Sequence, residues 1–290
     1  MAMMLDEAVS GDLAALLPMA SIEVSSRASQ LAELREHFGP DTDISITFLP
    51  GDNYRHNVEV AASLRRAGFN PVPHIAVRRL ASFTQANDFL QRAAAEADVR
   101  RALIIGGDPD HPVGPFPDAY DLLASGLVAH HGLREVAFAG YPEGHPRIAS
   151  RSLNEALHAK LTLARRQDLE VSVVTQFGFE ASSIHRWIAA LRDRDIVCPV
   201  RVGIAGPATV ATLAKFAVRC GIGASLRALA RGHTAFARIL AEAGPDPLIG
   251  ALVAEEDPRW PIGGLHIFSF GGVRRTAEWI RAARGADGGT

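Results

Sequence analysis

The sequence predicts one α/β domain, a (β/α)8 barrel that occupies residues 1–290. Short runs rich in β-branched residues alternate with longer amphipathic runs along the whole chain. The span from Glu23 to Phe268 holds seven strand-to-strand steps of about 35 residues each, the spacing of a β/α unit. No G-x-G-x-x-G turn follows the first strand, so a doubly wound dinucleotide-binding sheet lacks its defining motif. Uniform alternation therefore favours a closed barrel.

Each predicted strand is a short apolar run bounded by turn-forming residues. In chain order these runs are Ser21–Val24, Ile44–Phe48, Val72–Val77, Ala102–Ile105, Glu135–Ala139, Glu170–Thr175, Val200–Ile204 and Leu265–Phe270. Between them, apolar residues recur at helical spacing in Ser26–His37, Asn57–Ala67, Phe83–Ala97, Ser152–Arg166, Ser182–Arg192 and Ala208–Arg219. An extra helix is expected before the first strand. The long gap before the last strand predicts extra helices at about Ile222–Arg231 and Thr234–Ala243.

Composition narrows the classes of partner. Hydrophobic residues make up 48% of the chain, which supports a large buried core and excludes a disordered protein. A net charge of −2 without a basic block argues against nucleic acid. Cys198 and Cys220 are too few for a disulfide framework, and no 18-residue apolar run or basic leader is present. We therefore expect a cytoplasmic protein with a small-molecule partner; the oligomeric state, including a homo-oligomer, stays open.

Polar side chains stand at the predicted carboxyl ends of the strands, where barrel enzymes place their chemistry. A strand end in a core needs none of them, so their convergence on one rim predicts a binding or catalytic site. Carboxylates, an amide, a phenol and imidazoles suit a polar organic substrate or cofactor. We expect no metal, because the first strand lacks the H-x-H pair of metal hydrolase barrels. The strand-end residues are Glu23, Thr47, His74, Asp108, Tyr141, His145, Gln176 and Ser269.

Four motifs at successive strand ends carry a family resemblance. They are Ile22-Glu23, Gly107-Asp108-Pro109, Tyr141-Pro142-Glu143-Gly144-His145-Pro146 and Thr175-Gln176-Phe177. In this order they resemble the catalytic barrel of the methylenetetrahydrofolate reductase family, from about Ser21 to Arg275. The resemblance implies an oxidoreductase that interconverts 5,10-methylenetetrahydrofolate and 5-methyltetrahydrofolate, with FAD as cofactor and NADH or NADPH as hydride donor. The direction, toward methionine biosynthesis or toward methyl oxidation, stays open.

The resemblance also implies roles for single residues. Glu23 matches the general acid that protonates the folate, and Asp108 matches an aspartate beside the pterin and the flavin. Gln176 and Phe216 match folate-contacting residues. Lys160, one of only two lysines in the chain, falls near a phosphate-contacting lysine. The positions that match FAD contacts are Thr47, His74, Asp108, Tyr141, His145 and Lys160.

The chain departs from the family pattern at several places, two of which remove a likely contact to cofactor or substrate. Gly106 stands where the family commonly has an arginine, for which Arg78 or Arg79 would compensate. Gly271-Gly272 stands where the family has a substrate-contacting arginine. Because the departures cluster where FAD would be held, a flavin-independent reductase with direct hydride transfer stays open as an alternative. Two further alternatives are a folate-binding barrel without catalysis and a metal-dependent hydrolase.

Overall fold

The computed structural model describes residues 16–17, 20–26, 29–220, 222, 244–254 and 262–285. Its eight parallel strands form a closed barrel in chain order and alternate with helices, which confirms the predicted (β/α)8 fold. Two strands, β1 and β6, have the predicted bounds, and the others differ from prediction by one or two residues at an end. The strands are β1 Ser21–Val24, β2 Asp43–Ile46, β3 Asn70–Ala76, β4 Arg101–Ile105, β5 Glu135–Gly140, β6 Glu170–Thr175, β7 Val200–Ala205 and β8 Gly264–Phe268.

Six of the described helices overlap the stretches predicted by range, whereas Ala119–Ala124, Leu127–His130, Asp246–Ala254 and Val273–Gly285 had no predicted range. Apart from residue 222, the extra helices expected at Ile222–Arg231 and Thr234–Ala243 lie outside the described residues, as does nearly all of the expected N-terminal helix. No helix in the described ranges combines the length and apolarity needed to cross a membrane. The helices are Ser29–His37, Tyr54–Arg66, Phe83–Ala97, Ala119–Ala124, Leu127–His130, Ser150–Arg166, Ala181–Arg192, Val210–Cys220, Asp246–Ala254 and Val273–Gly285.

Two predicted boundaries were wrong for identifiable physical reasons. The helix expected to begin at Asn57 begins at Tyr54, because the Asn53 side chain caps it by accepting a hydrogen bond from the Arg55 backbone N–H at 2.9 Å. Strand β8 was expected to reach Phe270 but ends at Phe268. There the chain turns, and the Phe270 N–H donates to the Phe268 carbonyl at 2.8 Å.

The chain divides into two compact units. The first unit comprises Ser21–Gly140 and Leu153–Val174, and the second comprises Met1–Ala20, Tyr141–Ser152 and Thr175–Thr290. In the first unit β1 to β5 pair in sequence order, each parallel to the next. In the second unit β7 pairs with β8 over five residues. Each unit has its own cluster of buried apolar side chains. The strand ends of each unit are therefore held by packing within that unit.

An ionic network, formed by Asp43, Arg101, Glu135 and Ser172, lies near the amino ends of four strands of the first unit. The Arg101 guanidinium donates to both oxygens of Asp43, at 2.9 and 2.7 Å, and its Nε lies 3.1 Å from Glu135. The Ser172 hydroxyl donates to the other oxygen of Glu135 at 3.0 Å. These contacts tie together β2, β4, β5 and β6, with one guanidinium group shared between two carboxylates.

Candidate functional site

A carboxylate and an imidazole meet on neighbouring strands of the first unit. Glu23 on β1 is the register partner of Ser45 on β2, and His74 lies on β3. The Nε2 atom of His74 lies 3.6 Å from Glu23 Oε2 and 3.1 Å from Ser45 Oγ. Ser45 and His74 are buried, whereas the Glu23 side chain is 14% exposed. The arrangement therefore joins a solvent-reaching carboxyl group to buried groups that can orient it and exchange a proton with it.

Thr47 lies one residue beyond β2. Its backbone N–H and carbonyl are hydrogen-bonded, whereas its side-chain hydroxyl has no partner among the described residues. Its N–H donates to the Val24 carbonyl at 2.9 Å, and its carbonyl accepts from the Asn57 side chain at 3.4 Å. The hydroxyl oxygen is buried and has no hydrogen-bond partner in the part of the chain that the structure describes. Because buried hydroxyls nearly always have a partner, this oxygen is suited to contact a bound ligand.

Asp108 is held by an arginine that sequence reasoning had proposed only as a replacement for a missing cation. Arg79 ends the short 3-10 turn Val77–Arg79 after β3. Its Nε and Nη2 atoms both donate to Asp108 Oδ1, at 2.9 and 2.6 Å. The Asp108 side chain remains 48% exposed, so its second oxygen can still face a ligand. The position is set by Gly107, whose φ of +91° a residue with a side chain rarely adopts.

Arg78 lies next to Gly106, the glycine beside which the sequence predicted a compensating arginine. A Cβ atom placed on Gly106 would lie 3.8 Å from Arg78 Nε, so the guanidinium occupies the space beside this glycine. The same Nε donates to the Pro117 carbonyl at 2.7 Å, and Nη1 donates to the Pro109 carbonyl at 3.3 Å. Arg78 therefore orders the connection after β4, and it brings a positive charge to Gly106 from the 3-10 turn that follows β3.

In the second unit, Tyr141 and His145 contact each other in the loop after β5. Their rings meet edge to face, with centroids 5.2 Å apart and an interplanar angle of 86°. The loop is closed by the Gly144 N–H, which donates to the Tyr141 carbonyl at 3.0 Å. His145 Nδ1 accepts from the Arg147 N–H at 3.2 Å, so Nε2 is the imidazole nitrogen directed to other partners. The structure thus brings these two predicted cofactor contacts together.

Gln176 follows β6 directly, and its side-chain oxygen is hydrogen-bonded to the backbone of the next residue. Its Oε1 atom accepts from the Phe177 N–H at 3.1 Å, which leaves the amide NH2 as the donor for a ligand. The preceding residue, Thr175, accepts at Oγ1 from the buried Gly203 N–H at 2.8 Å and so fixes the end of the strand. A donor amide at a rigid strand end suits the carbonyl edge of a heterocycle.

Phe216 belongs to an aromatic wall in the second unit. It lies on the helix Val210–Cys220 and stacks on Phe270, with centroids 4.0 Å apart and an interplanar angle of 12°. Phe270 stacks in turn on Phe268 at 5.4 Å, and Phe177 meets Phe268 and Phe270 edge-on. Phe216, Phe268 and Phe270 are only partly buried. Their nearly parallel rings offer a face on which a flat heterocycle can stack.

Three polar side chains near these sites were not identified from the sequence: Ser45, Arg79 as the partner of Asp108, and His266. His266 is buried on β8 and meets the Phe268 ring edge-on at 4.9 Å. Ser45 and His266 each lie inside a strand. A single polar residue in an apolar run is also expected from the ordinary alternation of a strand, so the sequence did not indicate a functional role for either. Ser269, which was predicted, follows β8, and its carbonyl accepts from the Gly272 N–H at 2.9 Å.

Lys160 occupies the layer between its helix and β5. It lies within the helix Ser150–Arg166, with its Nζ 5.5 Å from the centroid of the Phe138 ring. Burial lowers the pKa of Lys160, and the negative charge of Asp118 opposes that shift. In this position the ammonium packs against an aromatic face, a cation–π contact. Its contact with a phosphate stays a prediction.

Replacement of Lys160 by methionine is expected to leave the free energy of unfolding at pH 7 unchanged or higher, because it removes a buried charge and puts an apolar side chain of similar volume in its place. Burial lowers the folded-state pKa, so the wild type gains stability as the pH rises toward the unfolded lysine value of 10.5. The advantage of the variant should therefore shrink between pH 7 and pH 10, as urea denaturation would show. A variant less stable than wild type at pH 7 would show instead that the ammonium stabilises the fold.

Comparison with known proteins supports the fold. No protein-family model matches this chain. A protein from Clostridium thermocellum that binds two copies of 5-methyl-5,6,7,8-tetrahydrofolic acid superposes with a TM-score of 0.53 at 12% identity, covering 92% of this chain and 94% of that one. Dihydropteroate synthase from Thermus thermophilus gives a TM-score of 0.46 at 14% identity over 91% of each chain. At these identities the likeness concerns the fold alone.

Proposed function

We propose that this protein interconverts 5,10-methylenetetrahydrofolate and 5-methyltetrahydrofolate, with NADH or NADPH as the hydride donor and FAD as the hydride carrier. The observation that carries the proposal is the Glu23 carboxyl group, 3.6 Å from His74 at the carboxyl end of β1. Opening the five-membered ring of the substrate requires a proton on a folate nitrogen. A barrel of the same fold that binds 5-methyltetrahydrofolate supports a folate as the ligand class.

In this proposal Glu23 delivers the proton, directly or through one water. Its 14% exposure lets the carboxyl group reach a ligand at the strand ends, while its flanking residues Ile22 and Val24 are buried. His74 faces both Glu23 and the Ser45 hydroxyl through one nitrogen. The imidazole lies beside the carboxyl group without a direct hydrogen bond to it, so in this proposal its role is to position Glu23 by close packing.

Binding and orientation of the folate are assigned to three groups. The Gln176 amide NH2 donates to the carbonyl edge of the pterin, because its oxygen already accepts from Phe177. Phe216 supplies a flat face for the pterin or the nicotinamide ring. Asp108 offers the carboxylate oxygen that Arg79 does not contact, Oδ2, to positive charge on the opening substrate.

The residues present fit FAD at one point that can be tested on this structure. The buried Thr47 hydroxyl, which lacks a partner in the described part of the chain, is suited to a polar atom of the cofactor. His74, Asp108, Tyr141, His145 and Lys160 are the other proposed contacts. When bound, FAD supplies a two-electron carrier between the nicotinamide and the folate.

An absorption spectrum of the purified protein, from about 300 to 550 nm and before and after anaerobic NADH, tests the proposal. We expect flavin bands that bleach with NADH and return with methylenetetrahydrofolate. A colourless protein that takes up no FAD but oxidises NADH with folate would identify the flavin-independent reductase. Folate binding without turnover would identify a binding barrel, and stoichiometric zinc on elemental analysis would identify a metal-dependent hydrolase.

A further inference from the structure

A carboxylate lies over the backbone of the segment that follows β6, in the second unit. A Cβ atom placed on Gly178 would lie 3.2 Å from Glu143 Oε1, which is tighter than most contacts of real Cβ atoms. The Glu143 side chain can therefore come this close because residue 178 is a glycine. The next nearest atom, Ile184 Cδ1, lies 3.9 Å from the same position, so the Glu143 oxygen occupies this space. The proposed reaction assigns no role to Glu143 or Gly178.

A tight turn directly after β5 determines where this carboxylate lies. The Gly144 N–H donates to the Tyr141 carbonyl at 3.0 Å, which closes a four-residue turn. Pro142 stands at the second position of that turn, where its fixed φ is favoured, and Glu143 stands at the third. The Glu143 side chain is half-buried. The turn therefore presents Glu143 at the carboxyl end of a strand, where barrels place the groups that contact ligands.

Glu143 brings a hydrogen-bond acceptor to the segment that already carries a donor. Gln176 precedes Gly178 by two residues, and its amide NH2 is the donor that remains after Oε1 accepts from the Phe177 N–H. Two residues of chain span at most about 7 Å, so the acceptor and the donor belong to one short stretch. The edge of a pterin that carries the 4-oxo, N3–H and 2-amino groups presents one acceptor beside two donors. A carboxylate can accept from both N–H groups while an amide NH2 donates to the oxygen.

We propose that Glu143 selects the 2-amino-4-oxo edge of the pterin, with its carboxylate accepting from N3–H and from the 2-amino group. The inference rests on the proposed folate function and deepens it, because it names the residue of the second unit that recognises this edge. Glu143 acts in binding and specificity and takes no part in the proton transfer assigned to Glu23. A ligand with a carbonyl oxygen in place of the 2-amino group would set that oxygen against the carboxylate and be rejected.

Isothermal titration calorimetry of the purified full chain, without NADH, tests the selection with two probes. Pterin-6-carboxylate and lumazine-6-carboxylate differ at position 2, where the pterin has an amino group and the lumazine has a carbonyl oxygen. We expect the wild type to bind pterin-6-carboxylate at least about tenfold more tightly, because a charge-assisted hydrogen bond is replaced by repulsion between two oxygens. Equal affinity for the two probes would overturn the proposal, as would the absence of pterin-6-carboxylate binding.

Two substitutions alter the carboxylate in different ways. Glu143→Gln should bring the two affinities to within about threefold of each other, because an amide can accept from the pterin or donate to the lumazine oxygen. Gly178→Ala keeps the charge but puts a methyl group 3.2 Å from Oε1, so the carboxylate has to shift and pterin binding should weaken about threefold to tenfold. Glu278→Gln, exposed on the helix Val273–Gly285, is the matched control and should keep the wild-type preference.

The pattern across the two probes separates recognition from a structural role. If Glu143 only shaped its loop, Glu143→Gln would weaken pterin-6-carboxylate and lumazine-6-carboxylate by the same factor, and this result would overturn the proposal. A preference for the pterin that stayed at the wild-type value in both Glu143→Gln and Gly178→Ala would also overturn it.

Folate turnover distinguishes this inference from the function on which it rests. In NADH-dependent reduction of methylenetetrahydrofolate, Glu143→Gln should raise KM about tenfold and leave kcat within about twofold, because the contact is made equally in the ground state and the transition state. A wild type that turns over folate, with an unchanged KM in Glu143→Gln, would contradict the role of Glu143 and leave the proposed function standing. A wild type that prefers the pterin probe but shows no turnover would support the role of Glu143 and contradict the reductase.

Discussion

Replacement of Glu23 by glutamine is expected to lower the rate of methylenetetrahydrofolate reduction by at least about a hundredfold, the range in which a general acid contributes. The amide has the shape of the carboxyl group but cannot donate the proton that the proposed reaction needs from Glu23. Oxidation of NADH by the flavin needs no such proton, so this half-reaction should remain near the wild-type rate. Stopped-flow absorbance of the flavin, first with NADH and then with folate, measures the two steps separately.

Glu59→Gln is the matched control for this variant. Glu59 is exposed on the helix Tyr54–Arg66, where loss of its charge should change neither half-reaction. If Glu23→Gln kept more than about a tenth of the wild-type folate turnover, the assignment of Glu23 as the acid would be wrong. Loss of both half-reactions together would place the defect in cofactor or nicotinamide binding instead.

Replacement of Gly203 by alanine is expected to lower the free energy of unfolding by about 3 kcal/mol, at the upper end of what overpacking costs. A Cβ atom on this strand residue would overlap the Thr175 carbonyl oxygen and would lie 2.9 Å from the Phe268 ring and 3.0 Å from the Gln176 carbonyl carbon. Two of these atoms belong to the backbone, which cannot move aside cheaply. The shift in urea midpoint at constant slope measures the loss.

The same change should also disturb the site. Because β6 ends at Thr175 and Gln176 follows it, a displaced strand end moves the amide that is proposed to contact the pterin. We expect an increased KM for folate in the folded fraction. Gly39→Ala is the control, since nothing lies within 4 Å of a Cβ atom there and it should leave stability and KM unchanged. A Gly203→Ala variant as stable as wild type would show that β7 and the end of β6 can move apart to accommodate the methyl group at little cost.

The strand and helix patterns were sufficient to predict the barrel. The periodicity of apolar residues predicted the helix Phe83–Ala97 to the residue, and in the structure Ser82 caps this helix by accepting from the Gln85 N–H at 3.1 Å. The start of the helix at Tyr54 was missed because its cap, Asn53, lies in a polar stretch that reads equally well as a turn. The residue at which a helix begins depends on a single capping hydrogen bond. The spacing of apolar residues gives no information about that hydrogen bond.

The candidate site was predictable in its residue types but only partly in its contacts. The strand-end rule identified Glu23, His74 and Asp108, since each is a polar residue at or just beyond an apolar run. The partners of these residues were not predictable. Ser45 is paired with Glu23 from another strand, and Arg79 reaches Asp108 across the connections after β3 and β4. Such pairs are separated by more than twenty residues along the chain, so only strand register and loop paths bring them together.

The ionic network of Arg101 has a consequence for how this scaffold can change. Arg101, Asp43 and Glu135 stand at the amino ends of their strands, whereas Glu23, His74 and Asp108 stand at or beyond the carboxyl ends. The connections that would determine ligand choice can therefore be exchanged, lengthened or randomised without altering the contacts that tie β2, β4, β5 and β6 together. Laboratory evolution of new substrate preference should accordingly tolerate more variation at exposed positions of the connections after β2 and β4 than at Arg101, whereas Asn53, Gly107 and Phe116 in those connections are fixed by capping, backbone conformation and burial.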